Sequence, residues 1–107
     1  MIKNGVDLRG LTPQMAIAYI IACFVFAKHG KPCMITSGSD GKHGPRSKHY
    51  EGNALDLRTR DFLQQMKVTL RDELKVALGG QYDVVLEATH LHMEFDPKEA
   101  WVDPEER

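Results

Sequence analysis

The fold of this 107-residue chain is decided by residues 47–58, which read Ser-Lys-His-Tyr-Glu-Gly-Asn-Ala-Leu-Asp-Leu-Arg. The last five residues alternate in polarity, and this pattern predicts a β-strand with Leu55 and Leu57 on one face. Ala54, Asp56 and Arg58 then share the other face. Gly52 allows a sharp turn just before the strand. The stretch therefore places a carboxylate at the start of a hydrophobic strand.

Two helices flank this strand in the sequence. Thr12 and Pro13 are typical of an N-cap and a first helical position, and the first helix is expected to run to about Lys28. It is apolar nearly all round, which predicts a central core helix. Asp61 is predicted to cap a second helix over about 62–78. Its expected apolar side contains Phe62, Met66, Leu70, Leu74 and Ala77 or Leu78.

The remaining pattern predicts a small antiparallel sheet. Short strands are expected over 34–36, 54–58, 82–87 and 91–95, with a tight turn near Ala88-Thr89 joining the last two. Residues 37–48 form a polar, glycine-rich loop of a length that is usually functional in so small a domain. The chain is thus expected to be one α+β domain over 1–107, with 96–107 as a loosely held tail that Trp101 packs onto the body.

Composition excludes several classes of partner. The net charge of −1 gives no electrostatic case for nucleic acid or anionic lipid. Residues 15–27 are too few to span a membrane, and no signal peptide is visible. We therefore expect a soluble monomer that is cytoplasmic as synthesised. Cys23 and Cys33 make no disulfide framework, although a bridge between them stays open.

Histidines and a carboxylate are placed as metal ligands would be. Alternation on the last strand puts His92 on one face together with His90, where Asp56 approaches from a neighbouring strand. We assign His49, Asp56 and His92 as the ligands of one zinc ion, with a fourth position open to water as in catalytic sites. If His49 and Asp56 stood alone, a hydrogen-bonded polar turn would explain them. The additional His-x-His of His90 and His92 is explained less well in this way.

These residues carry a family resemblance. The pattern Ser-x-His-x-x-Gly-x-Ala-x-Asp is matched in full by residues 47–56, and a C-terminal His-x-His is matched by His90 and His92. Over about 35–95 the chain resembles the D-Ala-D-Ala carboxypeptidase family of zinc peptidases, in particular its small phage and prophage members. That family shares its fold with the hedgehog signalling domain.

The resemblance implies a hedgehog/DD-peptidase-like fold that holds one Zn²⁺ on His49, Asp56 and His92. The expected substrate is a peptidoglycan peptide, which a zinc-activated water would hydrolyse. Glu87 is expected to act as the base, with His90 assisting proton transfer. Three residues of the first loop are expected to contact substrate. They are Ser37, His43 and Arg46.

Two positions depart from the family pattern. Thr89 stands three residues before His92, where members commonly carry an acidic base, so that Glu87 is either its substitute or a surface charge. Asp40 stands where peptidases often carry an arginine. Arg46 or Lys42 would then supply the positive charge. Asp40 would either accept a hydrogen bond from a metal ligand or contribute to a calcium site. Arg58 and Arg60 are attributed to ordinary solvation.

Two functions follow from these features. The first is a zinc peptidase of the D,D-carboxypeptidase or endopeptidase type, released to the cell wall by a holin or carried in a phage particle. The second is a hedgehog-like zinc-binding module without hydrolytic activity, which the departures at Thr89 and Asp40 favour.

Overall fold

The computed structural model describes residues 1–39 and 51–97, which form two helices and a four-stranded antiparallel sheet. The predicted α+β class with two main helices is therefore confirmed. The elements in chain order are α1 (Pro13–Lys28), β1 (Ile35–Ser37), β2 (Ala54–Arg58), α2 (Gln64–Leu78), β3 (Tyr82–Leu86) and β4 (His90–Phe95). Trp101 and the tail that contains it lie outside the described residues.

The two strands that carry the predicted ligands lie side by side in the middle of the sheet. The strand order is β1-β2-β4-β3, and all neighbours are antiparallel. In the register of β2 and β4, Asp56 lies opposite His92 and Arg58 lies opposite His90. A bulge in β1 brings Ser37 opposite Asp56 on the other side. Strand alternation thus gathers the polar residues on one face of the sheet.

The other face of the sheet packs against the helices. Leu55, Leu57, Leu91 and Met93 point into this core and are fully buried. The helices contribute most of the remaining buried side chains: Met15, Ala18, Ala22, Val25, Phe26, Leu70 and Leu74. Burial of this apolar area provides the main driving force for the fold, about 25 cal/mol per Å².

The prediction that α1 is a central core helix is wrong for one of its sides. Ile17 and Ile20 are each more than half exposed, and Phe24 is 75% exposed. The reason is geometric, because the sheet and α2 cover only the side that bears Met15, Ala22 and Phe26. Neither of the two helices in the described part of the chain could span a membrane.

The start of α2 differs from the prediction. The helix begins at Gln64, and its N-cap is Leu63, which makes no side-chain capping bond. Asp61, the predicted cap, instead accepts a hydrogen bond from Arg58 at 2.5 Å, which holds its side chain toward the end of β2. The Thr12 cap of α1 is confirmed, since its hydroxyl accepts from the Met15 amide at 3.3 Å. Both cysteines are free.

An N-terminal loop over residues 7–12 contacts the chain on both sides of the undescribed residues 40–50. The amide of Ser39 donates to the Asp7 carbonyl at 2.8 Å, and the amide of Thr12 donates to the Gly52 carbonyl at 3.1 Å. Gly52 has a φ of +75°, and a Cβ there would lie 2.0 Å from the Gly10 carbonyl oxygen. Only glycine therefore fits at this entry to β2.

Candidate metal centre

The centre of the polar face is a contact between Asp56 of β2 and His92 of β4. Because the two residues are register partners, their side chains rise from the sheet next to each other, and Oδ1 of Asp56 lies 2.9 Å from Nδ1 of His92. Both groups are largely buried, with side-chain exposures of 10% and 17%. A buried carboxylate and imidazole in contact stabilise each other as an ion pair or as joint ligands of a cation.

His92 is held by a carboxylate on each of its two nitrogens. Its Nε2 lies 2.8 Å from Oε1 of Glu94, which is two residues further along the same strand and therefore on the same face. The hydrogen bond to Asp56 is the main cause that raises the pKa of His92 to about 9, and Glu94 adds to it while burial opposes it. The pair of carboxylates thus creates a strong local preference for positive charge at this imidazole.

His90 joins the same group one step along β4. Its Nε2 lies 3.7 Å from Oδ2 of Asp56 and 3.1 Å from Oε2 of Glu87. Its other nitrogen, Nδ1, lies 3.1 Å from the hydroxyl of Thr89. In a neutral ring whose Nε2 donates to a carboxylate, Nδ1 would accept from the hydroxyl of Thr89. Glu87 itself is half exposed, so that water can reach it.

The turn that carries Glu87 is tied to the body by two contacts. Lys67 of α2 is buried, and its Nζ donates to the carbonyl of Ala88 at 2.9 Å. The amide of Thr59, just after β2, donates to the carbonyl of Thr89 at 3.0 Å. The position of Glu87 is therefore set by α2 and β2 as well as by its own strand.

The oxygen of Asp56 and the nitrogen of His92 fit a zinc ion in chemistry and in spacing. Carboxylate and imidazole are typical zinc ligands, and two such ligands about 2.0–2.1 Å from a tetrahedral ion lie about 3.3 Å apart. The observed separation of 2.9 Å between Asp56 and His92 is a few tenths of an ångström shorter, which small side-chain rotations would open. A histidine that binds a metal through one nitrogen usually donates a hydrogen bond from the other nitrogen to a carboxylate. Glu94, which contacts Nε2 of His92, is such a carboxylate.

The predicted site residues divide into two groups. The structure brings Asp56, His92, His90 and Glu87 together, and the bulge in β1 places Ser37 beside them. The third predicted ligand, His49, and the predicted substrate contacts His43 and Arg46 lie outside the described residues, as do Asp40 and Lys42.

The role of Glu94 was not predicted from the sequence. Alternation already placed it on the face of His92, but its contact with Nε2 depends on side-chain orientation. Glu94 also belongs to a group with Asp83 and Asp96 whose carboxylate oxygens lie within 4.8 Å of one another and could hold a metal ion. Oxygen donors of this kind suit Ca²⁺ or Mg²⁺ better than Zn²⁺.

Comparison of the chain with protein-family models, with curated proteins and with solved structures found no match. The family resemblance therefore rests on the motif residues themselves.

Proposed function

We propose that the chain is a zinc-dependent peptidase that hydrolyses peptidoglycan peptides. The observation that carries this proposal is the meeting of Asp56 and His92 across β2 and β4, with His90 and Glu87 in contact with the same group. The substrate class follows from the resemblance of residues 47–56 and 90–92 to the carboxypeptidase family. His49 would complete the ligand set.

Zinc at this site would lower the pKa of a bound water to about 7 and polarise the scissile carbonyl. The residues of the chain supply the remaining requirements. Asp56 and His92 offer one oxygen and one nitrogen donor on the rigid middle of the sheet. Glu94 restrains the imidazole of His92 through Nε2 and so keeps Nδ1 directed at Asp56.

Glu87 is the group that we assign to proton transfer. A carboxylate that is half exposed can take a proton from water and pass it to the leaving amine. Its Oε2 lies 3.1 Å from Nε2 of His90, and the same nitrogen lies 3.7 Å from Oδ2 of Asp56, so that His90 links Glu87 to the cluster. Thr89, at the position where the family carries an acid, instead orients His90 through its hydroxyl.

A second candidate is a zinc-binding module without hydrolytic activity. The observation that favours it is the same Thr89, because a hydroxyl cannot act as a base at neutral pH. In this case the metal would serve stability or ligand capture, and Glu87 would be an ordinary charge on a turn.

The test is hydrolysis by the zinc-loaded full chain of peptides ending in D-Ala-D-Ala and of cross-linked wall fragments. We expect release of amino groups that chelators stop. Glu87→Gln should lower kcat at least 100-fold while the protein still binds one zinc per chain, because general-base catalysis contributes about 10²–10⁴-fold. Asp72→Asn, on the exposed side of α2, removes a carboxylate far from the cluster and serves as the matched control.

The outcomes separate the two candidates. Zinc bound with no release of amino groups by the wild-type chain favours the binding module. Activity that survives Glu87→Gln removes Glu87 as the base. Failure to bind zinc at all, measured by elemental analysis after purification without chelators, contradicts both candidates.

A further inference from the structure

A cavity of about 300 Å³ opens at the end of the sheet where β2 leaves it. Its lining is cationic and hydroxyl-bearing, and it consists of Lys3, Thr36, Arg58, Arg60 and Thr89. None of these five side chains is acidic. A cavity with three positive charges and two hydroxyl groups is suited to an oxyanion such as a carboxylate.

The cationic cavity adjoins the candidate metal centre, because three of its lining residues are neighbours of cluster residues. Arg58 is the register partner of His90 across β2 and β4. Thr89 lines the cavity and also contacts Nδ1 of His90 through its hydroxyl. Thr36 donates to the backbone carbonyl of Asp56 at 3.4 Å. Thr36 and Thr89 therefore each line the cavity and also contact a residue of the cluster.

The positive charge of the cavity is only partly balanced. Arg58 is paired with Asp61 at 2.5 Å. Among residues 1–39 and 51–97, no carboxylate lies within ion-pair distance of Lys3 or Arg60, so that two charges are available to a ligand. Lys3 is held in place by its backbone, whose amide donates to the Ile35 carbonyl at 2.9 Å.

We propose that this cavity binds a free carboxylate of the peptide ligand, and this rests on the proposed function of the neighbouring centre. Arg58 follows Asp56 by two residues along β2, which corresponds to about 6.6 Å at 3.3 Å per residue. An extended peptide rises by a similar amount per residue. A carboxylate in the cavity therefore lies one or two residues from the bond held over Asp56 and His92. The preferred ligand is therefore a peptide whose free carboxylate lies one or two residues from the scissile bond.

The experiment compares a tripeptide ending in D-Ala-D-Ala as the free acid and as the C-terminal amide. Binding is measured by calorimetry and by NMR on the metal-free full chain, which prevents turnover, and hydrolysis is measured separately on the zinc-loaded chain. The acid should bind about tenfold more tightly than the amide to the wild type, because a charge-assisted hydrogen bond of this kind is worth about that factor.

Two variants locate the effect. Arg60→Gln and Lys3→Gln should each weaken binding of the acid several-fold and leave binding of the amide within twofold, since the amide has no charge to lose. Arg71→Gln and Lys75→Gln, on α2 away from the cavity, remove the same charges and should change neither value, because charges beyond about 8 Å are screened at physiological salt.

Three results would overturn the proposal. The first is equal weakening of acid and amide by the cavity variants, and the second is an equal effect of the α2 controls. The third is saturation of the Thr36 and Thr89 NMR signals by inorganic phosphate with no perturbation by the peptide acid, which would make the cavity a phosphate site. Charge-dependent binding without cleavage by the zinc-loaded chain supports the cavity and contradicts only the peptidase function.

Discussion

The two carboxylates that flank His92, those of Asp56 and Glu94, have different roles. Asp56 is buried and belongs to the neighbouring strand, so that it joins β2 to β4 and faces the same space as Nδ1. Glu94 lies on β4 itself and contacts Nε2. If a cation is bound between Asp56 and His92, as we propose, Glu94 can still accept a hydrogen bond from Nε2 of His92 and restrict rotation of the ring.

Loss of Glu94 should weaken zinc binding without abolishing it. We expect Glu94→Ala to raise the Kd for zinc about 10–100-fold, the range typical for the partner behind a metal-binding histidine. Glu94→Gln should cost less, because the amide oxygen still accepts the hydrogen bond. The measurement is competition with a chromogenic chelator at neutral pH.

Asp83→Ala is the control for this comparison. Asp83 shares the acidic group with Glu94 but makes no contact with His92 that the structure describes. If Asp83→Ala weakens zinc binding as much as Glu94→Ala does, the ion is held by the acidic group, and the assignment to Asp56 and His92 is wrong.

Gly52 is the residue at which backbone conformation most limits substitution. Gly52→Ala should lower the free energy of unfolding by about 3 kcal/mol or more, because it adds left-handed strain to a collision with the Gly10 carbonyl. Gly79→Ala is the matched control, since its φ is +84° but nothing lies within 4 Å of the added Cβ. That substitution should cost less than Gly52→Ala, about 1–2 kcal/mol, because backbone strain is its only penalty. Urea unfolding measures both, and equal losses would contradict the close approach at Gly52.

Residues of the candidate site differ in how far the sequence could predict them. Alternation along 54–58 and 91–95 was enough to place Asp56 and His92 on one face, because the period of a strand is fixed by its backbone. The cationic cavity was not predictable. It joins Lys3 to Arg58 and Arg60, more than 50 positions away, and no local pattern indicates which distant chain segment covers the end of a strand.

At the scale of an element, helix α1 is apolar on nearly all sides, and its sequence alone does not determine which side the rest of the protein covers. Ile17, Ile20 and Phe24 are as apolar as the buried residues between them, yet they face outward. Their exposure depends on where the sheet and α2 lie. At the start of α2 the predicted cap, Asp61, is likewise paired outside the helix, with Arg58 at the end of β2.

Two phenylalanines of α1 should therefore respond very differently to the same truncation. Phe26→Ala should lower the free energy of unfolding by about 3–5 kcal/mol, because Phe26 is fully buried and packs edge-on against Phe62. Phe24→Ala should change it by less than about 0.5 kcal/mol, as for most exposed sites. Chemical unfolding of both variants provides the comparison. A large loss from Phe24→Ala would show that this side of the helix is covered in solution.

At the scale of the whole molecule, the proposed metal centre links segments that are far apart in the chain. Asp56 and His92 are 36 positions apart, and Ser37 adds a third strand. An ion bound by such residues is bound only by the folded chain, so that its binding free energy adds to stability.

Zinc should accordingly raise the melting temperature of the full chain. At a free concentration of 100 times its Kd, zinc stabilises by about 2.7 kcal/mol, which corresponds to roughly 10–20 °C for a domain of this size. Differential scanning calorimetry with zinc and with a chelator measures the shift. Asp56→Ala should abolish it, and an unchanged shift in that variant would place the ion elsewhere.

Residues 7–12 have a consequence for which side chains the neighbouring chain segments can carry. Their carbonyls lie against Gly38 and Gly52, where an added Cβ would come within 2.3 and 2.0 Å of backbone oxygens. A single methyl group at position 38 or 52 should therefore be costly for folding, so that a library randomised at these two positions should return folded chains that keep glycine at both.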